Sequence, residues 1–287
     1  MSRISETELI LNADGSVYHL NLLPRHVADI VITVGDPGRV HRVSGFFDEI
    51  EFEINKREFI THTGRFNGKR ITVISTGIGP DNIEIVLTEL DALVNIDLKS
   101  RKPKTRKKRL KIVRIGTSGA IQEDIPPGSH LIAAYGIGLD NLMEFYELPL
   151  TPFEDHIRED IRQKTGLPFT PYVVKGSEVL FQRLSHDMLA GNTVTAPGFY
   201  APQGRCLRIS TRFPELLNNL AKYREANSAF RLTNIEMETA ALYALGRLLG
   251  HEVISVNVIL ANRATRQLQK KYDAAMDSLI RKVLERI

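Results

Sequence analysis

Short apolar runs rich in β-branched residues alternate along this chain with longer stretches whose apolar positions recur every three or four residues. Ile30-Val31-Ile32-Thr33-Val34 predicts a buried strand ending in Gly35-Asp36-Pro37-Gly38-Arg39. Arg70 to Ser75 predicts a second strand, ending in Thr76-Gly77-Ile78-Gly79-Pro80. The spacing of Ile83, Val86, Leu87, Leu90 and Leu93 predicts a helix over 81–94. Leu110–Ile115 and Leu131–Tyr135 read as further strands, closed by glycine-containing turns over 116–120 and 136–138. In the second half, helices are predicted over 178–190, 214–225, 236–249 and 265–286, with strands over 192–196 and 253–260. Strands interleaved with helices predict an α/β fold with a largely buried sheet. No internal repeat interrupts it, and we expect one domain over 1–287.

Ligands in open α/β sheets gather at the carboxyl ends of strands. The turns at Gly35, Gly77 and Gly116 are placed to line such a site. None is a Walker A loop, and no G-x-G-x-x-G follows the first strand, which argues against ordinary nucleoside triphosphate or dinucleotide binding.

Composition adds bounds. Of 287 residues, 43% are hydrophobic and 25% charged, as in a globular protein with a sizeable core. No apolar run is long enough for a transmembrane helix, and residues 1–6 lack a signal pattern. The single Cys206 excludes an intrachain disulfide and a multi-cysteine metal site. These features predict a cytoplasmic protein. The net charge of +4 is local: nine basic residues lie between Lys99 and Lys111, and without them 29 basic face 34 acidic residues. The run lacks interleaved aromatics, and its Pro103 reads as a loop. A solvated basic surface insertion over 99–111 is favoured over a polyanion contact.

Three clusters of residues carry candidate chemistry. Arg39, beyond a strand and a tight turn, and Arg114, interrupting an apolar run, would cradle an oxyanion together with Thr117 and glycine-turn N–H groups. Singly, each arginine reads equally well as an ion-pair partner. Glu236 and Glu238 open a strong helix, where carboxylates favour the macrodipole; a ribose diol is the alternative ligand, with Met237 as an apolar wall. Phe199-Tyr200-Ala201-Pro202-Gln203-Gly204-Arg205 sets a ring, an amide and a guanidinium within seven residues. Gln plus Arg suits the O2, N3–H and O4 edge of a pyrimidine, with Phe199 to stack. This loop leads into Cys206-Leu207-Arg208-Ile209, which looks strand-like.

Several ordered motifs then resemble one family. They are Gly35-Asp36-Pro37-Gly38-Arg39, Lys56-Arg57-Glu58-Phe59, Ser75-Thr76-Gly77-Ile78-Gly79, Arg114-Ile115-Gly116-Thr117-Ser118-Gly119, Asn234-Ile235-Glu236-Met237-Glu238 and Leu260-Ala261-Asn262-Arg263. From His19 to Arg263 the chain resembles the nucleoside phosphorylase family of uridine phosphorylases and bacterial purine nucleoside phosphorylases. The resemblance implies a single α/β domain with a central mixed β-sheet flanked by helices. It also implies phosphate held by Gly35, Arg39, Arg114 and Thr117, with Arg57 joining from a neighbouring subunit. Ribose would be held by Met237 and Glu238, with the neighbour's His19 near the 5′-hydroxyl, and uracil by Phe199, Gln203 and Arg205. The catalytic set would be Arg114, Gln203 and Arg205. Similar bacterial enzymes hold a monovalent cation between subunits with residues matching Glu58, Ile71 and Ser75.

The implied activity is reversible phosphorolysis of a pyrimidine nucleoside, uridine with deoxyuridine or thymidine as variants, in pyrimidine salvage. Inorganic phosphate is the co-substrate and no organic cofactor is needed. Purine enzymes of the family usually place an aspartate where this chain has Asn262, to protonate the departing base. Here that acid is absent, while Gln203 and Arg205 supply donors for an anionic uracil. A purine phosphorylase, a nucleosidase of the same fold and a non-catalytic nucleoside- or nucleic-acid-binding protein are the alternatives. Residues acting across subunits imply at least a dimer, up to a hexamer, with no membrane partner.

Overall fold

The computed structural model describes residues 3–287. They form two compact units, one of residues up to Arg114 with Leu245–Glu252, the other of Ile115–Ala244 with Val253–Ile287. Both are α/β, as the apolar pattern predicts.

The first unit is built around β1 (Ile30–Val34), whose bounds match the expected strand. Next comes α1 (Pro37–Ser44). Asp36 caps it by accepting the Gly38 N–H at 2.9 Å, and Pro37 starts it because a helix's first N–H groups lack intrahelical partners anyway. An antiparallel hairpin follows, β2 (Glu49–Lys56) and β3 (Phe59–Phe66), then β4 (Lys69–Ser75) and α2 (Pro80–Asn95), one residue longer at each end than predicted. The short pair β5 (Ile96–Asp97) and β6 (Lys102–Pro103) precedes β7 (Lys111–Ala120). Pro103 therefore pairs with Ile96 rather than lying in an open loop. β1 lies parallel between β4 and the start of β7, and β3 and β2 add antiparallel on the far side of β4, giving a mixed sheet.

The basic run folds back on α2. That helix has no basic residue in its last turn, and its final carbonyls need donors. Lys104 Nζ donates to the Val94 carbonyl at 2.9 Å and Lys107 Nζ to that of Asn95 at 3.5 Å. Arg101 donates to the carbonyl of Leu9, Arg109 to Glu252 at 2.8 Å, and Lys108 pairs with Asp29. Much of the run thus finds intramolecular acceptors.

In the second unit β7 continues as a strand to Ala120, followed by β8 (His130–Gly138), α3 (Pro152–Thr165), β9 (Tyr172–Lys175), α4 (Glu178–Leu184) and β10 (Leu189–Thr195). The elements α5 (Leu216–Lys222), β11 (Asn234–Glu236), α6 (Thr239–Leu249), β12 (Glu252–Asn262), β13 (Gln267–Leu268) and α7 (Asp273–Arg286) complete it. β8, β10 and β11 run parallel, while β9 and β12 pair antiparallel with β8. Ile137, Ile157, Ile161, Val173, Val194 and Leu220 knit the sheet to α3 and α5.

Several predicted boundaries are corrected here. The glycines of 116–120 and 136–138 lie inside β7 and β8 rather than in turns. A Cβ on Gly136 would stand 2.7 Å from Ala240 Cα, and one on Gly138 would overlap the Tyr172 ring, so these glycines permit close packing. The helix expected over 178–190 stops at Leu184, and β10 begins at Leu189. The helix expected from 236 starts at Thr239, because Asn234–Glu236 pairs as a strand. The helices expected over 214–225 and 265–286 contract to α5 and α7. Cys206–Ile209 is irregular and exposed, not a strand.

Burial holds His26, His62 and His130 below the usual imidazole range. Charges from Arg25 and Arg70 add to the effect at His26, and His41 adds at His62, where Glu53 opposes it. An unfolded chain therefore binds more protons on the acid side, so stability is full above about pH 6.5 and falls as pH drops toward the depressed folded values. Urea midpoints are expected to be lower at pH 5.5 than at pH 7.5, with a shallower slope for His62→Phe. A flat profile across that window would contradict this.

Candidate active site

The phosphate candidates of the first unit occupy the ends of its central strands. Gly35 follows β1, and a Cβ there would lie 3.3 Å from the Gly77 carbonyl, so the two glycine turns approach closely. Arg39 is in the first turn of α1, half-buried, with its N–H bonded to the Asp36 carbonyl at 3.0 Å. Arg114 is only 4% exposed and stands in register with Thr33 of β1. A guanidinium buried this deeply in an apolar strand is held by close polar or charged partners. Thr117, in the second unit's stretch of β7, is half-buried.

Arg57 belongs to the β2–β3 hairpin. It sits in the tight turn joining β2 to β3, with φ of 54°, and its guanidinium lies over the Tyr18 ring at 5.7 Å. Tyr18 meets the His19 ring edge-on at 4.8 Å. The two residues expected to act on a neighbouring subunit are therefore brought together by one aromatic side chain. Beside the same turn, Ser75 Oγ donates to the Glu58 carbonyl and accepts the Ile60 N–H, and Asn82 reaches the Glu58 carboxylate at 3.4 Å. Ile71 is four residues earlier on β4, fully buried.

In the second unit, Glu236 and Glu238 are both buried but do different things. The Glu236 carboxylate accepts the Thr195 hydroxyl at 2.7 Å and the N–H groups of Glu238 and Thr239 at 3.0 Å. It is a helix-start acceptor for α6, satisfying N–H groups that a helix cannot satisfy itself. Met237, between them, is half-buried.

The loop 199–205 forms a short 3-10 turn over Ala201–Gln203, closed by Gly204 in the left-handed region with φ of 67°. The Tyr200 carbonyl accepts both the Gln203 N–H at 3.0 Å and the Arg205 N–H at 2.9 Å. Arg205 Nη1 donates to Gln203 Oε1 and to the Phe199 carbonyl, each at 2.6 Å, and its guanidinium stacks 3.8 Å from the Phe199 ring centroid. Ring, amide and guanidinium are thus one locked unit. Gln203 is buried and Phe199 half-exposed, with one of its faces occupied by Arg205. Burial, and then the nearby Arg263, push the Arg205 guanidinium down to about 10, still cationic at neutral pH.

Arg263 belongs to this cluster and had no role in the sequence-based assignment. It follows β12 directly and donates to the Gln203 carbonyl at 3.2 Å. Its only sequence signal was its place at the end of Leu260-Ala261-Asn262-Arg263. Asn262 beside it is buried, and its amide is engaged at both ends. Nδ2 donates to the carbonyls of Gln122 and Ile125 at 2.7 and 2.9 Å, and Oδ1 accepts the N–H groups of Ala264 and Thr265 at 2.9 Å.

Comparison with known proteins places the chain in a family. The family model described as the phosphorylase superfamily matches residues 29–286. A uridine phosphorylase of Thermococcus kodakarensis is 32% identical over 258 residues, covering 90% of this chain and 81% of that protein. One from Haemophilus influenzae is 29% identical over 255 residues, covering 88% of each. Among solved structures, a Trypanosoma brucei nucleoside phosphorylase described as showing uridine phosphorylase activity superposes with a TM-score of 0.89. It is 31% identical and covers 96% of this chain and 98% of that one. With the fold, the motif order and a match spanning nearly the whole sequence in agreement, this chain belongs to the phosphorylase superfamily.

Proposed function

We propose that the protein is a uridine phosphorylase, converting uridine and phosphate reversibly to uracil and ribose 1-phosphate. The observation that carries this is the locked Gln203–Arg205 pair, a planar donor and acceptor set suited to a pyrimidine edge. The curated and structural relatives bearing the same activity support it.

In this assignment Gly35, Arg39, Arg114 and Thr117 hold phosphate, with Arg57 entering from a second copy. Met237 and Glu238 hold the ribose. Glu236 serves as the acceptor at the start of α6, and Glu238 is the diol acceptor that the family motif implies. A phosphate oxygen forms the new bond to C1′ as the C1′–N1 bond breaks, and the bonding pair leaves on uracil. Arg205 and the Gln203 amide stabilise that charge over the base oxygens, so no general acid is required. Asn262 has no acidic proton to offer a purine. Catalysis rests on positioning and electrostatics without a covalent enzyme intermediate. Residues serving a neighbour's site make the working form a homo-oligomer, at least a dimer, and salvage of pyrimidines in the cytoplasm is the role that fits. A monovalent cation near Glu58, Ile71 and Ser75 is part of the same proposal.

Released base, followed by chromatography after mixing the protein with uridine, thymidine or inosine, tests the assignment. Uracil is expected from uridine only when phosphate is present, with ribose 1-phosphate as co-product and little hypoxanthine from inosine. Phosphate-independent release would indicate a hydrolase, and preference for inosine a purine enzyme.

A further inference from the structure

We propose that Glu89 is a positioning residue for the reaction, holding His19 in one tautomer and orientation so that its Nε2 meets the nucleoside 5′-hydroxyl in the partner copy's site. The proposal rests on the uridine phosphorylase assignment. Glu89 lies in the third turn of α2, and its carboxylate is aimed at the segment Tyr18–Leu20 rather than at a cation. Oε1 lies 2.7 Å from His19 Nδ1 and accepts the His19 backbone N–H at 3.0 Å, while Oε2 accepts the Leu20 N–H at 2.9 Å. One side chain therefore fixes both the imidazole and the backbone that carries it.

A carboxylate in this position accepts, so Nδ1 carries the ring proton and Nε2 becomes the outward functional atom. The same logic governs histidines whose second nitrogen must face a ligand: a partner behind the ring selects the nitrogen in front. The surroundings agree. The Glu89 side chain is 13% exposed and that of His19 31%, so the anchor is sheltered and the ring is presented. Tyr18 packs edge-on against the ring at 4.8 Å and restrains its tilt, and the Arg57 guanidinium lies over the Tyr18 ring. Glu89, His19, Tyr18 and Arg57 form a preassembled outward-facing cluster. Without Glu89 the ring would populate both tautomers and several rotamers, and the 5′-hydroxyl would lose a fixed partner.

Steady-state kinetics of Glu89→Ala and Glu89→Gln against uridine and 5′-deoxyuridine, with His19→Ala and the double variant, test this. Glu89→Ala is expected to raise KM for uridine ~10-fold with kcat within about 2-fold, while 5′-deoxyuridine, lacking the hydroxyl, is handled as by the unaltered protein. Glu89→Gln, which retains one acceptor oxygen, should recover part of the loss. The double variant should be no worse than His19→Ala alone. Equal losses on both nucleosides, or fully additive losses in the double variant, would overturn the proposal. Imidazole 15N NMR gives a readout independent of turnover: the Nδ1–H form in the unaltered protein and a mixed population in Glu89→Gln. An Nε2–H ring in the unaltered protein would refute the positioning role. Failure of the unaltered protein to release uracil from uridine would instead overturn the uridine phosphorylase assignment.

Discussion

Uridine turnover by an Arg205→Ala variant is expected to fall by about 10²-fold or more in kcat, the scale of losing one oxyanion donor. In the proposed mechanism this substitution removes a donor for the charge that develops on uracil. In the structure it also releases the Gln203 amide, whose Oε1 is held by Arg205 at 2.6 Å, and uncovers the Phe199 ring, on which the guanidinium stacks. Because the three side chains act as a unit, Gln203→Ala combined with Arg205→Ala should cost less than the sum of the single losses. Arg205→Lys should recover little, since an ammonium keeps the charge but lacks the planar face that stacks 3.8 Å from the Phe199 ring centroid. The measurement is kcat and KM for uridine at saturating phosphate. Uridine cleavage near the unaltered rate in Arg205→Ala would overturn the role given to this loop.

The largest stability loss is expected at the carboxylate that starts α6. Glu236→Ala should destabilise the fold by about 3 kcal/mol, because it strands buried donors that now bond to a charged acceptor. Those donors are the Thr195 hydroxyl and the N–H groups of Glu238 and Thr239. Since the Glu238 backbone is among them, a secondary rise in KM for the nucleoside should accompany the loss. Urea unfolding with an unchanged m-value measures the first effect, and uridine kinetics at low temperature the second. A stability change under about 0.5 kcal/mol, the range of ordinary surface substitutions, would show that α6 does not depend on this acceptor.

The same residue shows where the sequence was readable and where it was not. β1 was legible to the residue because four of its five positions are β-branched aliphatics and a glycine turn follows. α2 was legible because its apolar face repeats through three turns. Glu236, by contrast, looked like the first turn of a helix, and only the pairing of Asn234–Glu236 with β10 reveals it as a strand end whose side chain reaches forward. The glycines of β8 misled for a related reason. Glycine marks turns locally, but at Gly136 and Gly138 it answers to Ala240 and Tyr172, residues distant in sequence. The hairpin β2–β3 went unpredicted although residues 49–54 alternate charged and apolar side chains, and so did α3, whose Thr151–Glu154 capping box is written in the chain.

At the site, residue types were legible and relationships were not. Arginines in glycine motifs and the Gln–Arg spacing pointed to phosphate and base. That Arg205 would close on Phe199, that Arg263 would join Gln203, and that His19 would lean on Glu89 depend on tertiary contacts.

If Asn262 sets the choice of base, as the proposed function has it, that choice is tied to folding. The Asn262 amide donates to two carbonyls of the 122–125 loop while accepting two N–H groups beyond β12. A carboxylate at this position could keep the accepting half but would face those carbonyls with nothing to donate unless it stayed protonated. A lineage drifting from pyrimidine toward purine nucleosides would thus meet a folding barrier before it gained an acid. Substitutions that first re-anchor the 122–125 loop would have to come earlier, so the order of mutations, rather than their number, would limit such a change of substrate.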